Sequence, residues 1–568
     1  MMPRGLARCI FVGTALTLGA LFLVPLWMVL SGGFTEGGSF TLKHLGAVLG
    51  NPIYAEGLRN SFFIALGVTL LANLIAVPLA WIADRCDFAG KKTVAALVLV
   101  PMILPPFLGA VGWQQLFGQY GTINALFGIE RDWLGSSGIW GVILLEALAL
   151  YPIVYLNAAA ALANLDPALG EAAENLGCTG LRRFRRVTLP LIAPGLFAGG
   201  ILVFIWSFTE LGTPLMLNYT RCAPVQVFDA LKEIGSDPTP YALVAVLLIA
   251  SAALFAAGRL LFGRKAYATA GRASTAARTQ RLTGARAALA LAPFVAVLAL
   301  ALLPHLAVIL TSVTEPGAWY RSVLPQDTTI AHWAEAMGHP LTVGSIANSL
   351  LYSALALLVC LVLGVAIALV VVRSDLKFRG ALDAVSMLPL AVPGLVMAFG
   401  YLAFSSRLGN SEWVKESGMW RNLLDVRANP TLFLVIAYAV RRLPYMVRSA
   451  VAGLQQTSPA LEEAAQNLGA PPWTAWRRIT MPLIAANLIA GGLLVFAFSM
   501  LEVSDSLVLA QRQDHYPITK AIFELFQLLG TGPYVAAALG VWAMLFLGLT
   551  ILAASQVLGR KLGALFRV

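Results

Sequence analysis

PALGEAAENLGCTGLRRFRRVTLPLIAPGLFAGGILVFIWSFTE, from Pro167 to Glu210, returns as PALEEAAQNLGAPPWTAWRRITMPLIAANLIAGGLLVFAFSMLE from Pro459 to Glu502. The offset is a constant 292 residues and 25 of the 44 paired positions are identical. The chain is therefore an internal duplication. A weaker match extends upstream, pairing Asn60-Ser61 with Asn348-Ser349, Pro101 with Pro389, Pro105 with Pro393 and Gly112 with Gly400. Within each copy the polar opening reads as a short helix. Asp166 or Ser458 is placed to cap it, Pro167 or Pro459 suits its first turn, and Gly177 or Gly469 suits its end. Leu181–Val187 and Trp473–Ile479 are expected to form a second short helix before Pro190 and Pro482 lead into an apolar run. The product is a helix–turn–helix at a membrane surface, with Ala172-Ala173 and Ala464-Ala465 as a low-relief face.

The membrane follows from composition. Of 568 residues, 59% are hydrophobic and only 12% charged, with a mean hydropathy of +0.79. Soluble domains carry roughly 25% charged residues, so a soluble enzyme of this size is excluded. Apolar blocks of about 20 residues give twelve candidate spans. They lie near 10–32, 59–83, 92–115, 137–163, 191–217, 240–262, 287–312, 346–372, 381–405, 431–455, 483–510 and 534–558. The blocks do not alternate as barrel strands do, and a span in hydrocarbon must satisfy its own backbone, so an all-α integral membrane fold is expected. The N-terminal run, from Ile10 to about Leu30, is longer than a signal-peptide core and reads as a retained first span.

Six spans separate the two copies, an even number, so both copies have one orientation and form two parallel six-helix repeats. With the N-terminus placed in the cytoplasm, and Arg441, Arg442 and Arg448 set aside within or beside a span, inner segments hold 24 Lys/Arg and outer loops 12. This asymmetry places both termini and both duplicated loops inside. The expected organisation is a first half over 1–262 with a loop at 164–190, a basic linker at 263–286, and a second half over 287–568 with a loop at 456–482. The five cysteines show no metal-ligand spacing, and Gly90-Lys91-Lys92-Thr93 lacks the glycine spacing of a phosphate-binding loop. No connection is long enough for an ATPase domain, so the energy source must lie in another polypeptide.

The loops resemble the cytoplasmic motif of binding-protein-dependent ABC importer permeases: Glu-Ala-Ala, three residues, Gly, nine residues, an aliphatic residue, one residue, Leu-Pro. Glu171-Ala172-Ala173, Gly177, Val187, Leu189 and Pro190 match it, as do Glu463-Ala464-Ala465, Gly469, Ile479 and Pro482, with Met481 in place of Leu. The fused form is similar to the ferric-iron and thiamine branch. The resemblance implies a type I importer fold in which Glu171, Ala172, Ala173, Gly177 and Glu463, Ala464, Ala465, Gly469 couple to two copies of a cytoplasmic ABC ATPase. It also implies a periplasmic solute-binding protein, a bacterial inner-membrane location and no nucleic-acid partner. ATP and magnesium would be used by the ATPases, with no cofactor on this chain, which is itself no enzyme. Ferric iron is the first substrate expectation, with thiamine, polyamine, phosphonate or sugar phosphate as alternatives. An ion-coupled secondary transporter is the alternative of a different class.

Five ionisable residues at or near membrane depth are candidate pathway residues. Glu210 and Glu502 are symmetry mates, and Asp505 lies three residues beyond Glu502. Charges at such depth are costly and face a cavity or a partner. A carboxylate-lined path would suit a cation; the plainer alternative has them binding outer loops at the interface. Arg441 and Arg442 break the symmetry, facing Ala149 and Leu150 in the other copy. They suit an anion, or pair with a carboxylate such as Glu146 or Glu502, or simply join helices. Pro101, Pro105, Pro106, Pro389 and Pro393 are expected to interrupt the third and ninth spans. A bound metal is left open.

Overall fold

A computed structural model describes residues 4–36, 38–103, 106–134, 138–231, 238–262 and 280–558. Pro105 and most of the basic linker, 263–279, fall outside them. The described chain is helical, apart from three short strand pairings such as Cys86-Asp87 with Gln280-Arg281. The principal helices are α1 (Arg4–Phe34), α2 (Pro52–Arg85), α3 (Lys91–Met102 and Pro106–Phe127), α4 (Ile139–Ala163), α5 (Pro167–Asn175), α6 (Gly180–Phe208) and α7 (Thr239–Phe262). After the linker come α8 (Gly284–Ser312), α9 (Pro340–Arg373), α10 (Arg379–Leu390 and Gly394–Gly409), α11 (Thr431–Gln456), α12 (Pro459–Asn467), α13 (Pro472–Met500) and α14 (Gly532–Leu558).

The duplication reappears in the helix bounds. Helices α2 and α9 both have 34 residues, α5 and α12 both have 9, and α6 and α13 both have 29. The expected proline interruptions are sharp: α3 bends by 91° and α10 by 100°. Among the described residues, eight helices are long and apolar enough to cross a membrane, or up to ten if each bent pair is one span. The two remaining expected spans are α7, apolar over Thr239–Leu254, and α11, which carries Arg441, Arg442 and Arg448.

One expectation is corrected. The chain does not break at Pro190 or Pro482; α6 and α13 run on continuously from Gly180 and Pro472. A single wide turn makes this possible: Leu189 N–H donates to the Phe184 carbonyl and Met481 N–H to the Trp476 carbonyl, each an i→i+5 bond. Such turns absorb a proline's missing donor without ending the helix.

The chain forms two compact units, and they cut across the duplication. The first draws its residues from Met1–Ala55, Gln226–Ile249 and Trp333–Leu565, the second from Glu56–Val225 and Ala250–His332. In the first unit α1 packs on α10: the Gly400 backbone lies against Pro25, where a Cβ would stand 2.9 Å from the Pro25 carbonyl oxygen. Pro25 lacks the N–H that would bond the Leu21 carbonyl, and the Tyr401 hydroxyl donates there instead, at 2.7 Å. In the second unit α8 packs on α3, and a Cβ on Gly112 would collide with the Pro304 carbonyl. The paired glycines Gly112 and Gly400 thus each mark a close crossing with the opening helix of the opposite repeat.

Candidate functional site

The duplicated loops are closed alike at both helix ends. Asp166 accepts from the Ala168 N–H at 2.9 Å and Ser458 from the Ala460 N–H at 3.3 Å, capping α5 and α12. At the other end Cys178 N–H donates to the Ala173 carbonyl at 2.8 Å and Ala470 N–H to the Ala465 carbonyl at 3.0 Å. Gly177 N–H reaches Glu174 and Gly469 N–H reaches Gln466, both at 2.9 Å. This double closure needs a left-handed residue at its apex, and Gly177 (φ +75°) and Gly469 (φ +91°) supply it. The four-residue step from Ala173 to Gly177 is therefore a capping geometry, and it fixes which way the helix face points.

Glu171, Ala172, Glu463 and Ala464 are exposed, while Ala173 is buried. Between the alanines and the glycine sit Leu176 and Leu468, 87% and 90% exposed. Sequence reasoning assigned these leucines no role beyond helix formation. Their signal lay in the repeat itself, since both copies put the same large apolar residue on a helix end that faces outward. A leucine so exposed leaves apolar surface uncovered beside the exposed Glu171 and Ala172, or Glu463 and Ala464.

The second group of residues falls in the first unit. Arg441 and Arg442, in the middle of α11, reach Glu502, just past the end of α13. Each bonds to one of its carboxylate oxygens. Arg441 also reaches Asp505 at 3.3 Å, and Arg442 donates to the Phe498 carbonyl at 3.1 Å. Glu502 and Asp505 are buried, at 4% and 0% exposure. The Thr519 hydroxyl, at 2.6 Å, and the Ser506 hydroxyl donate to the Glu502 backbone carbonyl, and Ser506 in turn pairs with the Tyr438 hydroxyl at 2.7 Å. Arg441 lies flat against Gly394, at the bend of α10, where any Cβ would collide with its guanidinium. Of the readings open for the arginines, the geometry matches pairing with Glu502 and the joining of helices.

Glu210 belongs to the second unit. Its carboxylate accepts from the Gly212 N–H at 3.1 Å, and Glu146 stands within electrostatic reach. Glu146 is 1% exposed and accepts from the Ser207 hydroxyl. The structure thus brings Glu502, Asp505, Arg441 and Arg442 together in one unit and sets Glu210 with Glu146 in the other. Among the described residues no group of three or more His, Cys, Asp or Glu is placed to hold a metal ion.

Comparison with known proteins matches both repeats to one family, described as binding-protein-dependent transport system inner membrane component, over residues 76–266 and 360–556. A putative ferric transport system permease of Haemophilus influenzae is 26% identical over 83% of this chain and 73% of its own length. A ferric transport system permease of Actinobacillus pleuropneumoniae is 26% identical over 83% of this chain and 67% of its own. A probable molybdenum ABC transporter permease of Haloferax volcanii is 33% identical over 36% of this chain and 75% of its own. Permeases of this kind are membrane subunits and not enzymes, and ATP hydrolysis lies in separate subunits. With two family repeats covering most of its length, the chain belongs to the binding-protein-dependent transport system inner membrane components.

Proposed function

We propose that this chain supplies both permease halves of the membrane part of an ATP-driven importer of ferric iron. Residues 1–262 and 287–568 serve as its two permease halves, joined by the linker 263–286. In this reading both termini face the cytoplasm, and α5 and α12 each seat one copy of an ATPase. Glu171 and Glu463 face a basic residue of that partner, and Leu176 and Leu468 fill an apolar recess in it. The observation that carries the coupling role is the pair of identically capped helices, each ending in a leucine about nine-tenths exposed. The chain itself binds no cofactor; ATP and magnesium belong to the partner subunits.

Iron as the cargo rests on similarity to permeases named for ferric transport over 83% of the chain. It also fits the Glu146 and Glu210 carboxylates, whose surroundings in the second unit supply no arginine at the matching positions. An anionic cargo had Arg441 and Arg442 in its favour, but both are engaged by Glu502, which leaves little positive charge for an anion. The test is uptake into vesicles holding the chain with its ATPases and binding protein. Accumulation of radiolabelled ferric iron, dependent on ATP, is expected. Accumulation of molybdate instead would overturn the cargo, and uptake without ATP would overturn the coupling. Leu176→Asp and Leu468→Asp should each leave the chain folded and abolish co-purification of an ATPase.

A further inference from the structure

The cytoplasmic end of α9 carries a connection that its repeat partner lacks. Arg373 is the last residue of α9 and is only 9% exposed. Its Nη2 donates to the Leu454 carbonyl at 3.2 Å and the Thr457 carbonyl at 2.8 Å, closing the end of α11. Its Nε stands 3.6 Å from Oε1 of Glu462, in the first turn of α12. The same Glu462 oxygen accepts from the Thr480 hydroxyl at 2.7 Å, in the wide turn of α13. One guanidinium and one carboxylate therefore join the ends of α9 and α11, the duplicated-loop helix α12 and the opening of α13. Where such a charged pair is buried, loss of one partner strands the other.

The other repeat keeps every part of this junction but one. Arg85 ends α2 as Arg373 ends α9, Leu162 and Leu165 match Leu454 and Thr457, and Thr188 matches Thr480. Gly170, however, stands where Glu462 stands. The carboxylate nearest Arg85 is its own neighbour Asp84, 3.4 Å from its Nε. The Nε of Arg85, like that of Arg373, makes an ion pair but no hydrogen bond among the described residues, so the two sites differ in which helix the carboxylate comes from. A cleft lined by Asp84, Arg85, Leu162, Leu165, Gly170 and Thr188 occupies the place of the junction. The ion pair of Arg85 stays within its own helix, and α5 is held instead by the Glu174–Arg183 pair to the start of α6, its own flanking helix.

We infer that Arg373, Glu462 and Thr480 are positioning residues that tie the second coupling helix rigidly to α9 and α11, while the first coupling helix moves without such a tie. The two ATPase seats then act unequally: displacement of α12 is passed directly into two spans, and displacement of α5 passes only through its flanking chain. This rests on the coupling role proposed above for α12.

The experiment is hydrogen–deuterium exchange on the full permease–ATPase complex in nanodiscs, with and without trapping by ATP and vanadate. In the parent, trapping should alter exchange in α12 and at the end of α9. In Glu462→Ala the response of α12 should persist while that of the α9 end falls by about fivefold, the factor given by about 1 kcal/mol of lost coupling. Glu462→Gln keeps the shape and the Thr480 bond and removes the charge; it should show the same separation if Glu462→Ala fails to assemble. Gly170→Ala, whose added Cβ has only Arg183 Nη1 nearby at 4.0 Å, should leave both responses as in the parent. Undiminished response of the α9 end in both Glu462 variants would overturn the inference. Absence of any response in α12 of the parent complex would overturn the coupling role instead.

Discussion

Two neighbourhoods occupy equivalent places in the repeats and carry opposite electrical solutions. In the first unit, Tyr438, Arg441, Arg442, Glu502 and Asp505 make a closed set, two arginines against two carboxylates. In the second, the 292-residue offset puts Glu146, Ala149, Leu150, Glu210 and Thr213 at those positions. Two carboxylates stand there with no arginine. The packing frame is retained, since Ser207 and Ser499, and Glu210 and Glu502, coincide. The lesson is that duplication copied the scaffold and left charge free to diverge. One copy uses its ionisable groups to join α11 to the end of α13, and the other keeps a buried Glu146 within electrostatic reach of Glu210.

The contrast breaks most readily at Arg441. Arg441→Ala strands buried Asp505 and half of Glu502, and should cost about 3–5 kcal/mol, read as a large fall in the unfolding temperature of the purified protein. A loss no greater than that of Glu146→Gln would mean that the two neighbourhoods are not electrically different. Gly394→Ala attacks the same cluster from beneath by pushing the guanidinium off its carboxylates. A loss of about 1–3 kcal/mol is expected in the same measurement, and Arg441→Ala should remove most of the added effect of Gly394→Ala.

The two coincident serines sharpen the comparison further. Ser207 donates to Glu146, whereas the Ser499 hydroxyl is buried without a hydrogen-bond partner among the described residues. Ser207→Ala should therefore cost about 1 kcal/mol and Ser499→Ala close to nothing, by chemical denaturation of each variant. Glu146→Gln is likewise expected to stay within about 1 kcal/mol of the parent. Its effect belongs to transport: ATP-dependent ferric uptake should fall while ATPase attachment is unchanged. Uptake equal to the parent would leave the acidic pair without a part in the pathway.

Much of this was legible in the sequence because it is local. The caps Asp166 and Ser458 and the turns at Gly177 and Gly469 depend on residues within ten positions of one another, and they appear where the spacing put them. The bends at Pro106 and at Pro389 and Pro393 follow from missing donors in the same way. What depends on distant partners was less accessible. Nothing in the apolar run of α1 says that it packs on α10, because a helix apolar on all sides carries no address for its neighbour. Arg441 and Arg442 could be listed with Glu502 as one choice among several, but sixty intervening residues hide which choice the packing makes. The run-through at Pro190 was missed because a proline reads as a break unless a wide turn precedes it, and Phe184–Thr188 has no distinctive composition. The junction at Arg373 was hidden for a simpler reason: Glu462 differs from Gly170 by one letter in an otherwise matching motif.

The crossings at Gly112 and Gly400 bear on how such a protein is made. If the chain were severed in its linker, each fragment would lack a helix that its compact unit packs around and would carry another with no place to bury. Neither piece would be a folding unit by itself, and only co-expression in equal amounts would restore both. A single reading frame removes that requirement, because every ribosome that finishes the chain has already delivered the exchanged helices in matched numbers.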